Sequence, residues 1–192
     1  MELKPIFIGT DWSITSPAWT IMNNNVVNHY YFYSSNNDIH QSFNISNHYF
    51  NGIHYPDYYN TNLQRYSSLA KKYLDTILPY KKRNTELHVV FENYSYMSKG
   101  KVFNIAESTA IAKYLLYTND IEVNTVTPAQ WKKAAGLKGN SIKDDVIQLY
   151  TQETGIDLCS VFNDYKKKKG VISDIADSYF IMKYAAIPNK SN

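Results

Sequence analysis

The sequence predicts an α/β fold: a mixed five-stranded sheet, an antiparallel meander continued by parallel strands, with helices on both faces. Three observations predict it. Three short apolar segments follow one another across tight connections within the first 33 residues. Two further apolar runs are each preceded by a stretch of helical character. The last 50 residues then read as helices.

Residues 3–9 read as a short buried strand carrying Ile6, Phe7 and Ile8, which runs directly into Asp11. Ser13 to Pro17 is turn chemistry. Residues 18–22 and 26–33 are the second and third strands, joined by the Asn23-Asn24-Asn25 turn. Residues 34–60, rich in Asn, Ser, Tyr and His without a clear period, read as an irregular insertion in one domain spanning 1–192. Leu63, Tyr66, Leu69, Ala70, Tyr73, Leu74 and Ile77 have helical spacing over 63–78, closed by Pro79.

Residues 87–91 form a continuous apolar strand suited to burial on both faces. A helix over 102–117 and a strand over 122–126 follow. Pro128 opens a short helix, with Thr127 as its N-cap. Residues 141–154 form another helix with Ser141 as cap and Asp144 and Asp145 in its first turn, ended by Gly155. The last helix is expected over 173–186.

Composition narrows the function. A hydrophobic fraction of 44% and a charged fraction of 19% fit a globular chain. No apolar run approaches the ~18 residues that span a bilayer, and the N-terminal stretch is too short for a signal peptide. The expectation is a cytoplasmic protein with no membrane partner. Cys159 is the only cysteine, which excludes disulfide scaffolds and Cys-based zinc sites. His40, His48 and His54 match no zinc spacing and read as ordinary polar residues. Lys outnumbers Arg 18 to 2, so phosphate contact must rely on ammonium point charges. Planar bidentate forks are then scarce. The abundance of Asn, Tyr, Lys and Ile suggests an AT-rich genome.

Four acids carry the chemistry. Asp11 follows the first strand, Glu92 ends the fourth, and Asp174 and Asp177 share a helix face at i and i+3. Each alone reads as a cap or a solvated face. If the first and fourth strands are parallel neighbours, their carboxyl ends meet at one sheet edge, where open α/β sheets place sites. The N-terminal turn of the final helix would bring the other two acids there. Such a cluster requires a counter-ion, and oxygen-only ligands suit Mg²⁺ or Mn²⁺. Two ions ~3.5–4 Å apart would activate a water and stabilise the leaving oxygen of a phosphodiester. Residues 128–143 hold Lys132, Lys133, Lys138 and Lys143 with no acid, and 93–105 hold Lys99 and Lys101 among aromatics; both segments neighbour the acidic edge. Trp131 reads as a core or staple residue, and Lys166–Lys169 as a surface run with a possible phosphate contact.

The pattern resembles the RNase H-like superfamily and, within it, the RuvC-type Holliday junction resolvases, particularly phage and virus-like members. The matching residues are Ile8-Gly9-Thr10-Asp11-Trp12-Ser13, Val90-Phe91-Glu92-Asn93-Tyr94 and Asp174-Ile175-Ala176-Asp177-Ser178. Between them, Val126-Thr127-Pro128-Ala129-Gln130-Trp131-Lys132-Lys133, then Gly136, Gly139 and Lys143, look like the family's basic segment. The resemblance covers most of the chain apart from 34–60. It implies an RNase H-like fold and a homodimeric crossover junction endodeoxyribonuclease that cuts four-way DNA junctions by paired nicks. Asp11, Glu92, Asp174 and Asp177 would hold two Mg²⁺ (or Mn²⁺) ions, with Lys143 and one of Lys132 or Lys133 near the scissile phosphate. The family's aromatic wedge, three residues after the glutamate, falls on Ser95; Tyr94 and Tyr96 flank it. The helix over 102–117 is the expected dimer interface. The alternatives are a nuclease acting on flaps or forks, and an inert DNA-binding module, which would gain nothing from clustered carboxylates.

Overall fold

The computed structural model describes residues 3–14, 17–33, 42–55, 59–93, 102–162 and 165–188. The apolar segments form strands β1 (Lys4–Asp11), β2 (Ala18–Asn23) and β3 (Val26–Tyr33), an antiparallel meander. Asn24 turns β2 into β3 at a φ of 55°, a left-handed conformation that asparagine tolerates. Strand β6 (Thr85–Glu92) lies parallel to β1 on its other side, and β7 (Val123–Val126) lies parallel to β6.

The sheet has seven strands, not the expected five, in the order β4-β5-β3-β2-β1-β6-β7. Both additional strands, β4 (Ser42–Ile45) and β5 (His48–His54), lie in the stretch expected to be irregular. Strand β5 does alternate, His48 and Phe50 facing inward and Tyr49 outward, but a histidine in a core position hides that period from a hydrophobicity reading. The His48 imidazole is satisfied by partners distant in sequence: its Nδ1 lies 3.0 Å from His29 Nε2 and 3.4 Å from Tyr150 OH. His29 Nδ1 in turn meets Thr20 Oγ1 at 3.0 Å. This polar group ties β5 to β3, β2 and the helical layer.

Each face has its own core. On one face, α1 (Asn62–Ile77) and α2 (Val102–Tyr117) cover Ile6, Ile8, Trp19 and Phe91. Thr61 caps α1 by accepting from the Gln64 N–H. On the other face lie α3 (Pro128–Ala134), α4 (Lys143–Thr154), the single-turn α5 (Leu158–Val161) and α6 (Tyr165–Ala185), over Ala18, Tyr31, Phe50 and Val90. Thr127 and Gln130 close a reciprocal capping box on α3, as the sequence suggests for Thr127. Helix α4 begins at Lys143 rather than 141. The Ile142 N–H donates to Asp145 Oδ2 at 2.9 Å, and Gly155 closes the helix at φ 72°.

Helix α6 starts eight residues earlier than the sequence suggests, so Asp174 and Asp177 sit in mid-helix and not in its first turn. The Lys166–Lys169 run and Gly170 obscure the apolar period there, although the backbone remains helical. Among the described residues no helix is long and apolar enough to cross a membrane.

Candidate active site

The parallel register of β1 and β6 pairs Gly9 with Val90 and Thr10 with Phe91, which carries Asp11 and Glu92 to the same sheet end. Both point to the face covered by α6. That helix passes unusually close to β1, because Gly9 has no side chain: a Cβ there would fall on the backbone of Ser178, Ile181 and Met182. The close crossing places Asp174 and Asp177, one turn earlier, over Asp11. One carboxylate oxygen from each of Asp11, Asp174 and Asp177 lies within 4.8 Å of the other two.

Glu92 stands beside this triad. Its Oε1 accepts a hydrogen bond from the Trp131 indole Nε1 at 2.8 Å. All four acids line one cleft of about 310 Å³, together with Trp12, Asn93, Ile105, Thr109 and Lys143. Trp12, next to Asp11, is itself fixed from the far side, its Nε1 donating to Ser108 Oγ of α2 at 3.0 Å.

The electrostatics are those of crowded carboxylates with too little positive charge. Burial pushes the Asp11 carboxyl well above the usual range, and Asp174, Glu92 and Asp177 push it further, against the pull of Lys143. Asp177 is pushed up to about 8, by burial first and then by Glu92 and Asp174. Burial also raises Glu92, opposed by the Trp131 hydrogen bond, the Lys132 charge and a hydrogen bond with Asp11. Asp177 Oδ1 is sealed from solvent with no hydrogen-bond partner, a costly state for a carboxylate oxygen. A hard divalent cation fits this donor set: oxygen ligands only, three of them converging, one with its lone pairs unused.

Lys143 reaches the cluster from the first turn of α4. Its Nζ lies 2.8 Å from Ser173 Oγ and 3.7 Å from Asp174 Oδ1. Ser173 Oγ is also 3.1 Å from Asp174 Oδ1 and 2.9 Å from the Gly170 carbonyl. Lys132 Nζ donates to the Ser141 carbonyl at 2.9 Å, close enough to lower both Glu92 and Asp177. Lys133 and Lys138 are exposed and do not line the cleft. Tyr94, Tyr96, Lys99 and Lys101 lie outside the described residues.

The structure thus brings together Asp11, Asp174 and Asp177, with Glu92 and Lys143 at their side. Two contributors escape the sequence reading. Trp131 is buried as expected, yet its indole N–H serves Glu92; a Trp three residues after a helix-opening Pro gave no sign of that acceptor. Ser173 links Lys143 to Asp174, and only its position before the first acid of the pair marks it.

No family model matches the sequence, and no curated protein matches it. Solved structures do match. RuvC from Thermus thermophilus superposes with a TM-score of 0.52 at 10% identity, over 93% of this chain and 96% of that one. The same organism's RuvC in complex with a Holliday junction substrate superposes with a TM-score of 0.57 at 12% identity, over 94% of each chain. This chain has a RuvC-like fold.

Proposed function

We propose that this chain is a metal-dependent endonuclease that cuts four-way DNA junctions by paired nicks. The observation that carries the reading is the buried triad of Asp11, Asp174 and Asp177, open to a cleft at the carboxyl ends of two parallel strands. A carboxylate cluster of this kind destabilises a fold unless a cation relieves it. The likeness of the fold to a RuvC bound to a Holliday junction supports branched DNA as substrate.

Asp11, Asp174, Asp177 and Glu92 would hold two Mg²⁺ or Mn²⁺ ions, which supply water activation and stabilise the leaving 3′ oxygen of the phosphodiester. Asp11, on which the other three acids all act, would be among the residues that hold them. The chain's own groups do the remaining work. The Lys143 ammonium places positive charge at the rim beside Asp174, where an incoming phosphate needs it, and Lys132 adds charge on the α3 side. Lys133 and Lys138 extend the basic surface for the DNA backbone. Trp12 and Thr109 wall the cleft, and the Trp12–Ser108 hydrogen bond ties the residue after Asp11 to α2.

Paired nicks require two such sites, and α2 offers the surface to pair them. Its inner face packs on α1 and carries the buried Ser108, Ala112 and Leu116. Its outer face exposes Phe103, Tyr114 and Tyr117 at 83%, 64% and 76%. Their spacing, with Ala110 between them, makes one stripe along the helix. A second copy packed on that stripe would bury large aromatic groups that are otherwise in water.

The test is Mg²⁺-dependent cleavage of a labelled synthetic four-way junction, with a flap, a fork and a linear duplex beside it. Symmetric nicks in the junction by the wild type, absent with Asp174→Asn, support the reading. Cleavage confined to flaps or forks moves the substrate to another branched DNA. Binding without cleavage in either Mg²⁺ or Mn²⁺ removes the enzyme.

A further inference from the structure

Trp131 has a task that packing does not explain. Its indole is 1% exposed and lies parallel to the Phe180 ring, 6.4 Å between centroids at 3°. A buried indole N–H needs an acceptor, and a backbone carbonyl would serve. The acceptor here is Glu92 Oε1, 39 residues away in sequence, at 2.8 Å. Both ends of this bond stand on rigid elements. Glu92 is the last residue of β6, and Trp131 lies on α3, whose start is fixed by the Thr127–Gln130 capping box.

A glutamate has three side-chain torsions and, in a cluster of acids, a reason to swing away from them. The indole N–H removes that freedom by taking one oxygen and leaving the other for the cleft. We propose that Trp131 is a positioning residue for Glu92: it anchors one carboxylate oxygen so that the other faces a divalent ion beside Asp11. This rests on the metal-dependent reading of the site. Partners that orient a metal ligand contribute 10–100-fold in metal affinity in other proteins, although they touch no metal.

The substitution Trp131→Phe keeps an aromatic ring against Phe180 and deletes only the N–H and the smaller ring. The expected result is Mn²⁺ affinity about 10-fold or more weaker by calorimetry on the metal-free protein. Half-saturating Mn²⁺ for cleavage should rise by the same factor, while the rate at saturating Mn²⁺ stays within a few-fold of wild type. In a Glu92→Ala background, Trp131→Phe should change Mn²⁺ affinity less than about twofold, since the residue acts through Glu92. Unchanged affinity in Trp131→Phe overturns the proposal, and so does an undiminished loss in the Glu92→Ala background. A wild type that takes up no Mn²⁺ overturns the metal reading itself and this proposal with it, an outcome visible before any variant is made. A further measurement needs no change at Trp131. The indole N–H proton resonance of Trp131 should move on adding Mg²⁺ to the wild type and stay still in Glu92→Ala; a wild-type resonance indifferent to Mg²⁺ overturns the proposal.

Discussion

Gly9 of β1 faces Ser178 of α6 with no space for a side chain between them. The contact does more than close a core. Asp11 lies two residues beyond Gly9 and Asp177 immediately before Ser178, so the separation of strand and helix at this point sets the separation of the carboxylates. Adding a methyl group forces the helix outward, because its collision partners are backbone atoms that cannot rotate away. Gly9→Ala is expected to cost about 3 kcal/mol, at the upper end for overpacking a core. Any folded fraction should lose Mn²⁺ affinity because the triad opens. Denaturant melts and calorimetry check both; a variant of wild-type stability would show that α6 does not pass as close as described.

In the metal-free protein the acidic cluster should cost stability as the pH rises from about 4 to about 8. Asp177 binds its proton more tightly folded, with a pKa pushed up to about 8, than unfolded, where 3.8 is ordinary. The folded state therefore holds more protons across that window, and raising the pH favours unfolding. Asp11 acts in the same direction. Divalent ions compete with those protons, so the gain in melting temperature from millimolar Mn²⁺ should be small near pH 5 and largest near pH 8. Asp177→Asn should raise the melting temperature of the metal-free protein at pH 8 by ~3 °C or more, the shift of about 1 kcal/mol in a domain this size. It should also lose the response to Mn²⁺. Thermal melts across pH, with and without metal, measure this.

What was legible in the sequence depended on how local its cause is. Asp11 and Glu92 stand out because each ends an apolar strand, and the i, i+3 spacing of Asp174 and Asp177 declares a shared helix face. Their convergence needs only the parallel pairing of β1 with β6 and a helix laid across them. Strand β5 was illegible because His48 occupies a core position, and its partners His29 and Tyr150 lie 19 and 102 residues away. The early start of α6 was hidden by Lys166–Lys169, a run that reads as loop although helix is open to it. Trp131 reads correctly as buried, but a side chain's burial does not reveal which acceptor its one polar atom will find.

Removing charge from the cluster without changing its shape separates chemistry from binding. Asp11→Asn, Glu92→Gln, Asp174→Asn and Asp177→Asn are each expected to reduce cleavage of a four-way junction by at least ~10³-fold, given the several kcal/mol a lost metal or oxyanion contact costs. Junction affinity should hold within a few-fold, since the lysines that meet the backbone are untouched. Lys143→Ala should lower cleavage without abolishing metal binding. Gel-shift and cleavage assays on the same preparations measure both, and near-normal turnover in any of the four removes that residue from the site.

The histidine pair works against the carboxylates on acidification. Burial keeps His29 well below its ordinary pKa, with the neighbouring His48 adding to the effect, and burial lowers His48 as well. Both are pushed toward the neutral form when folded, while the unfolded chain takes up protons below about pH 6.5, so the pair's own contribution to stability should fall as the pH drops through that value, against the gain from the protonated carboxylates. The ring resonances of His29 should hold their neutral positions as the pH falls below the ordinary histidine range, and replacing the pair should steepen the gain in melting temperature of the metal-free protein on acidification. Tyr150→Phe removes the hydroxyl that meets both rings and should cost about 1–3 kcal/mol, the loss of a buried hydrogen-bond partner.

On the proposed function, the outer stripe of α2 would decide whether one site or two act on a junction. Tyr114 is 64% exposed in the single chain, on the stripe one turn before Tyr117. A charge there would have to be buried in a paired helix interface, at a cost the aromatic contacts cannot offset. Tyr114→Glu should therefore shift the protein from dimer to monomer in sedimentation at micromolar concentration and leave the fold intact, because the inner face of α2 is unchanged. The cleft belongs to one chain, so the monomer should still nick. The two nicks in a junction should then become independent: a supercoiled cruciform plasmid, which the dimer linearises in one encounter, would accumulate as the nicked circle. A variant that remains dimeric and linearises the plasmid as before would place the interface elsewhere.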